Sequence, residues 1–169
     1  MMGHLGFSYI GLIWLLMLMI PNLFWTRAKP QGYSPEGENR LLLALERIGE
    51  VGVTCVALAF ADFNFPPASG VFDPWNGWLA ASLLLMLLYE LWWLRYFAGP
   101  RRLSDFYSSL LGIPVAGATL PVLAFFLLGI YGRVVWMLLV CVPLGLGHIG
   151  IHLGHRRAIR NEEGRPPKI

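Results

Sequence analysis

Charged residues are scarce in this chain of 169 residues: Asp, Glu, Lys and Arg make up 14% of it, whereas apolar residues make up 56%. A soluble domain carries charge on about a quarter of its residues. The few charges are also clustered, so that long apolar stretches alternate with short polar ones. This pattern is atypical of a soluble domain and predicts an integral membrane protein, with the lipid bilayer as its first partner.

Cysteines are also few, and the basic residues do not form a face that is free to bind a partner. The two cysteines, Cys55 and Cys141, fall inside predicted helices and form no CxxC or metal-ligand pair, which indicates small buried side chains. The net charge of +3 is confined to a few loops and the tail, so no basic face is free for nucleic acid. We therefore expect no nucleic-acid partner.

The apolar stretches predict an all-α bundle of about five transmembrane helices. They form one domain over residues 1–160, and residues 161–169 form a basic cytoplasmic tail. Each stretch is long enough to cross a hydrocarbon core of about 30 Å at a rise of about 1.5 Å per residue. The helices are expected at residues 5–25, 41–61, 78–97, 106–130 and 134–154.

Lys and Arg fall mainly on one side of the predicted bundle. They lie in the loop after the first helix, in the turn after the third helix and in the tail, whereas only Arg133 falls on the opposite side. Because Lys and Arg are retained on the cytoplasmic side, we expect the amino terminus outside and the carboxyl terminus in the cytoplasm. The predicted location is a bacterial-type plasma membrane.

Several predicted helices carry polar residues at a similar depth in the cytoplasmic half of the bilayer. An ionised group near a helix centre costs roughly 2.5–3.5 kcal/mol by insertion scales, so such groups usually line a cavity or pair up. Two Glu on the second helix and two His on the fifth are each four residues apart and therefore share a face. The predicted substrate- or ion-binding residues are Asn22, Glu46, Glu50, Glu90, His148 and His152.

Simpler interpretations stay open for some of these residues. Arg47 lies three residues before Glu50 and could neutralise it, and Glu46 could extend to the lipid headgroups. His155 is expected at the membrane interface, outside the site. The set Glu50, Glu90, His148 and His152 also suits zinc, manganese or iron, although no HExxH or ExxH motif is present. Haem is not expected, because no histidine is predicted on a facing helix.

The other face of the fifth helix carries Gly147, Gly150 and Gly154. Small residues at this spacing predict close packing against a neighbouring helix or against a second subunit, as in a homodimer.

Three functions are compatible with these features. The first is a small transporter or carrier with a cytoplasm-facing Glu/His-lined cavity for a cation or small basic substrate, because carboxylates attract cations and a histidine pKa of about 6.5 allows proton exchange. The second is an intramembrane enzyme, metal- or Glu/His-dependent, that acts on a lipid-like substrate. The third is a non-catalytic subunit of a membrane complex.

Overall fold

A computed structural model describes residues 3–65 and 73–163 and shows an all-α protein. The described residues form six helices, and a 3₁₀ turn at Ala61–Phe63 follows the second. The last helix, α6, is α-helical over Val135–Leu144, π-helical over Gly145–Ile149 and α-helical again over Gly150–Glu163. The other five are α1 Tyr9–Trp25, α2 Arg40–Ala59, α3 Asn76–Ala98, α4 Leu103–Phe106 and α5 Ala116–Tyr131.

Two of the helices in the described residues are long and apolar enough to cross a membrane, namely Asn76–Ala98 and Val135–Glu162. Helices α1 and α5 are apolar but shorter, with 17 and 16 residues, and α2 carries two Arg and two Glu. The fold is therefore a helical bundle with two membrane-length apolar helices, which alone are weak evidence of membrane association. The five spans and their orientation stay predictions.

The predicted helix over residues 106–130 is wrong in its first part, because the chain is not a continuous helix between Phe106 and Ala116. Gly112 has a φ of +82°, and Val115 has a left-handed φ of 41°. Pro114 disfavours a helical conformation at the residue before it and has no amide hydrogen to donate. The break lets the end of α4 fold inwards, where Phe106 and Tyr107 are buried.

Helix α1 begins four residues later than predicted, because residues before it pair with the end of α2. Gly6 N donates to Ala59 O at 2.9 Å and Ser8 N donates to Leu58 O at 3.1 Å. The Ser8 hydroxyl then accepts a hydrogen bond from Gly11 N at 2.8 Å, which caps the new helix. The amino-terminal segment is thus fixed to the carboxyl-terminal end of α2 rather than extending α1.

The π-helical segment of α6 follows Pro143. Proline lacks the amide hydrogen for an intrahelical bond and its ring displaces the preceding turn, so the helix widens nearby. Helix α6 then continues beyond residue 154, the predicted end, as far as Glu163. Residues 164–169, the rest of the predicted tail, lie outside the described residues.

Helix α3 packs extensively against α5, and α2 packs along α6. Helices α1, α3 and α5 are also joined by hydrogen bonds through the buried Ser82, whose hydroxyl accepts from Trp14 Nε1 at 2.8 Å and donates to Ala124 O at 2.7 Å. Helices α1 and α2 come closest at Gly11, where an added Cβ would overlap the carbonyl of Ala57. Towards their other ends, both helices line the walls of a cavity.

Candidate functional site

A cavity of about 760 Å³ lies among α1, α2, α3, α5 and α6. The loop after α1 contributes Tyr33 and Glu38 to its wall, and the break after α4 contributes Phe106 and Tyr107. Much of the remaining wall is aromatic, with Trp25, Tyr89, Trp92, Trp93 and Phe125. The site is thus an apolar, ring-lined chamber with a few polar groups, as is usual for small-molecule sites.

Five of the six predicted site residues line this cavity: Asn22, Glu46, Glu50, His148 and His152. Glu90 does not line it, because α3 presents Tyr89, Trp92 and Trp93 to the cavity. The Glu90 Oε1 atom is instead buried without a hydrogen-bond partner. The structure therefore brings together all the predicted residues except Glu90, and the role of each stays a prediction.

Glu46 and His148 form a hydrogen-bonded pair between α2 and α6. Glu46 Oε1 lies 2.5 Å from His148 Nδ1, and the two side chains are 14% and 25% exposed. His148 lies in the π-helical segment, and the neighbouring Gly147 has no side chain to hold the helices apart: a Cβ there would overlap the backbone of Glu46 and Leu42. The close approach of the helices makes this pair possible.

A second pair joins the end of α6 to the loop after α1. His155 Nε2 lies 2.9 Å from Glu38 Oε1, and the Glu38 side chain is only 10% exposed. Glu38 lines the cavity whereas His155 does not, so His155 contacts the site only through Glu38, and its expected interfacial position stays a prediction. Glu38 gave no signal in the sequence, since it lies in a loop whose folding over the cavity depends on tertiary contacts.

His152 lies between these two pairs. Its ring centre is 4.6 Å from that of His148 and 5.3 Å from that of Tyr107, and its Nδ1 atom is buried without a hydrogen-bond partner. Tyr107 in turn stacks on His155, with ring centres 5.1 Å apart. Three histidines and one tyrosine thus form a continuous row of rings from Glu46 to Glu38.

Tyr33 and Tyr107 line the same cavity as Glu38. Burial raises the pKa of both phenols, and nearby negative charge, including Glu38, raises it further. Both hydroxyl groups are therefore protonated at neutral pH and available as hydrogen-bond donors.

Glu50 and Asn22 have partners of their own. Arg47 Nη1 donates to Glu50 Oε2 at 2.9 Å, so the simpler interpretation, that Arg47 neutralises Glu50, agrees with the structure. Asn22 Nδ2 donates to Tyr89 Oη at 2.8 Å and to Leu18 O at 2.7 Å. Of the three cavity carboxylates, Glu50 is paired with an arginine, whereas Glu46 and Glu38 are paired with histidines.

The predicted metal set is not assembled. Across residues 3–65 and 73–163, no three His, Cys, Asp or Glu side chains are grouped so that they could hold a metal ion. Glu90 lies outside the cavity and Glu50 is paired with Arg47, so only the two histidines of the set are adjacent. The four residues Glu50, Glu90, His148 and His152 are thus not grouped as a metal site in the described part of the chain, and metal binding by them stays a prediction.

The glycine face of α6 lies partly against α2 of the same chain. Gly147 contacts the α2 backbone, and a Cβ on Gly150 would lie 3.3 Å from Leu42 Cδ1, whereas Gly154 faces open space. The neighbouring-helix interpretation explains the first two glycines, and a partner subunit on this face stays a prediction.

No protein-family model, curated protein or solved structure matches this chain.

Proposed function

We propose that this chain is an integral membrane carrier that binds an organic cation in the cavity among its helices. The observation that carries this proposal is the composition of the cavity wall, which combines three carboxylates with aromatic rings. With neutral histidines, Glu38, Glu46 and Glu50 against Arg47 give the lining a formal charge of −2, that is, −3 + 1. Such a wall attracts cations.

Aromatic rings favour an organic cation over a simple metal ion. Ring faces attract ammonium groups through their quadrupoles, by roughly 0.5–2 kcal/mol each depending on desolvation. Trp25, Tyr33 and Phe106 pack together at the wall, with centroid distances of 5.0–6.1 Å. A ligand with a positive head and an apolar body would place its head near Glu46 and its body against these rings.

The exposed side chains support a membrane location. Large apolar residues on α1, α3 and α6 have little protein around them: Phe24 is 64% exposed, Leu94 66% and Leu146 59%. Exposed large apolar side chains on several helices favour contact with lipid or with another protein. In the proposed arrangement α1, α2, α3, α5 and α6 are the five spans, with the shorter α1 and α5 rising about 25 and 24 Å at 1.5 Å per residue.

The cavity is also suited to proton exchange. A cation bound at Glu46 would compete with His148 for the same carboxylate oxygen, so ligand binding and the protonation of His148 would be linked. We therefore expect cation transport to be coupled to proton movement.

Binding of tetraphenylphosphonium to the protein purified in a nonionic detergent tests the proposal. Replacement Glu46→Gln should weaken binding about tenfold, which corresponds to about 1.4 kcal/mol. Replacement Glu36→Gln, at an exposed loop position outside the cavity, should leave the affinity unchanged. Absence of binding to the wild-type protein, or equal losses in both variants, would contradict the proposal. Uptake into proteoliposomes with and without a pH gradient then tests transport.

A second candidate is an intramembrane enzyme that acts on a lipid-like substrate without a metal. The Glu46–His148 pair favours it, because a hydrogen-bonded carboxylate and imidazole can perform acid–base chemistry. Incubation of the protein with extracted membrane lipids, followed by mass spectrometry, would reveal a product that the Glu46→Gln variant does not form.

A further inference from the structure

A second concave site lies at the same end of the bundle, outside the cation cavity. It is a surface pocket of about 610 Å³ between the loop after α1 and the turn before α4. Its charged lining is entirely basic, with Arg27, Lys29, Arg101 and Arg102, and no carboxylate lines it.

None of the four basic side chains of this pocket forms an ion pair. The ion pairs in the described residues are His4–Asp62, Arg47–Glu50, Glu46–His148 and Glu38–His155, none of which involves the pocket. The neighbouring Asp105 carboxylate accepts a hydrogen bond from the Arg102 backbone N at 2.9 Å. Like charges around one concavity repel one another, and the repulsion is relieved when an anion binds among them.

The walls of the basic pocket are held in place by contacts beneath it. Tyr96 Oη donates to Ala28 O at 2.9 Å, which attaches the loop to α3. The rings of Trp25 and Phe106 stack with centres 5.2 Å apart, which joins α1 to α4, and Lys29 Nζ lies 5.1 Å from the Trp25 ring centre. Arg101 has a left-handed φ of 55°, a conformation that non-glycine residues rarely adopt. These contacts position basic side chains from two segments around one concavity.

We infer that the basic pocket binds a phosphate group. Arginine guanidinium groups donate paired hydrogen bonds that match phosphate oxygens, and lysine adds a compact charge. The phosphate could belong to a phospholipid headgroup or to a soluble phosphate, because both present the same oxygens. This inference does not depend on the proposed cation cavity, whose polar lining is formed by other residues.

Binding of dioctanoyl phosphatidic acid, dioctanoylglycerol and inorganic phosphate to the detergent-purified protein tests the inference. The first two ligands differ only in the phosphate group. We expect phosphatidic acid to bind and dioctanoylglycerol to bind at least about tenfold more weakly, since charge-assisted hydrogen bonds to phosphate are lost. Inorganic phosphate that competes with equal affinity would identify a soluble phosphate as the ligand, whereas weak competition would identify the lipid headgroup.

Two charge-matched variants distinguish the pocket from general surface charge. Arg101→Gln/Arg102→Gln should reduce the affinity for phosphatidic acid about tenfold or more, whereas Arg157→Gln/Arg160→Gln, at exposed positions of α6, should change it less than about twofold. Equal losses in the two variants, or no binding to the wild-type protein, would overturn the inference. If the first variant unfolds, Arg27→Gln/Lys29→Gln, which also removes two pocket charges, replaces it with the same expected loss and the same control.

Discussion

His148 Nδ1 on α6 lies 2.5 Å from Glu46 Oε1 on α2, next to a glycine where the two helices touch. The contact between α2 and α6 forms one wall of the cavity, and it also places the Glu46 carboxylate and the His148 imidazole on that wall. Loss of either side chain should therefore affect both the stability of the bundle and the chemistry of the cavity.

Replacements of Glu46 and His148 by alanine should be coupled. Each single change leaves a partly buried polar partner without its hydrogen bond, so the double variant should be less destabilised than the sum of the two, by about 1–3 kcal/mol. Unfolding of the four proteins by denaturant in detergent measures this energy. Coupling near zero would show that the pair is not formed in solution. Glu36→Ala combined with His148→Ala is the control and should be additive.

Gly147 and Gly154 should respond in opposite ways to alanine. A Cβ at Gly147 would overlap the α2 backbone, so Gly147→Ala should lower the free energy of unfolding by about 1–3 kcal/mol. Gly154 faces open space in the same helix, so Gly154→Ala should be neutral or stabilising by up to about 1 kcal/mol. Thermal unfolding of both variants measures the difference. Similar values for the two would mean that α2 and α6 are not in close contact.

Ser82 should be important for stability although it lies in an apolar helix. Ser82→Ala removes the acceptor for Trp14 Nε1 and the donor to Ala124 O in a fully buried position, which should cost about 1–3 kcal/mol. Ser104→Ala, at an exposed position of α4, should change stability by less than about 0.5 kcal/mol. Denaturant midpoints compare the two variants. An effect of Ser82→Ala as small as that of Ser104→Ala would contradict the hydrogen-bond link.

The contact between the amino-terminal segment and the turn after α2 should lose stability in acid through Asp62. Partial burial opposes ionisation of this carboxyl group, but its hydrogen bonds from the His4 backbone and ring outweigh burial and lower its pKa. The ionised Asp62 carboxylate therefore contributes fully to the free energy of unfolding above the pKa of the unfolded chain, about 3.9. This contribution is lost as the pH falls through the lower pKa of the folded protein.

Melting temperatures measured from pH 6 down to pH 3 check this sign. The melting temperature of the wild-type protein should exceed that of Asp62→Asn by the largest margin above about pH 5. This difference should shrink as the pH falls towards the pKa of Asp62 in the folded protein. A gap that stays constant over the whole range would contradict the assignment. Glu36→Gln, which changes an exposed carboxylate, should show a constant small difference from wild type.

The sequence by itself was enough to predict the all-α class and most of the polar residues that line the cavity. Apolar stretches of about twenty residues predicted helices close to α2 and α3. The spacing of four residues between Glu46 and Glu50, and between His148 and His152, predicted shared faces that do line one cavity. These features are local, because helix periodicity alone fixes which residues share a face.

Only the tertiary structure decided which partners these residues have. The direction of Glu90 depends on how α3 rotates against α5, and the place of Glu38 depends on a loop that folds over the cavity to reach His155. The break before Ala116 places Tyr107 against His152 and His155, although that stretch is apolar enough to suggest a helix. Such contacts join residues far apart in the chain, so they follow from the packing of whole helices and not from the pattern within any one of them.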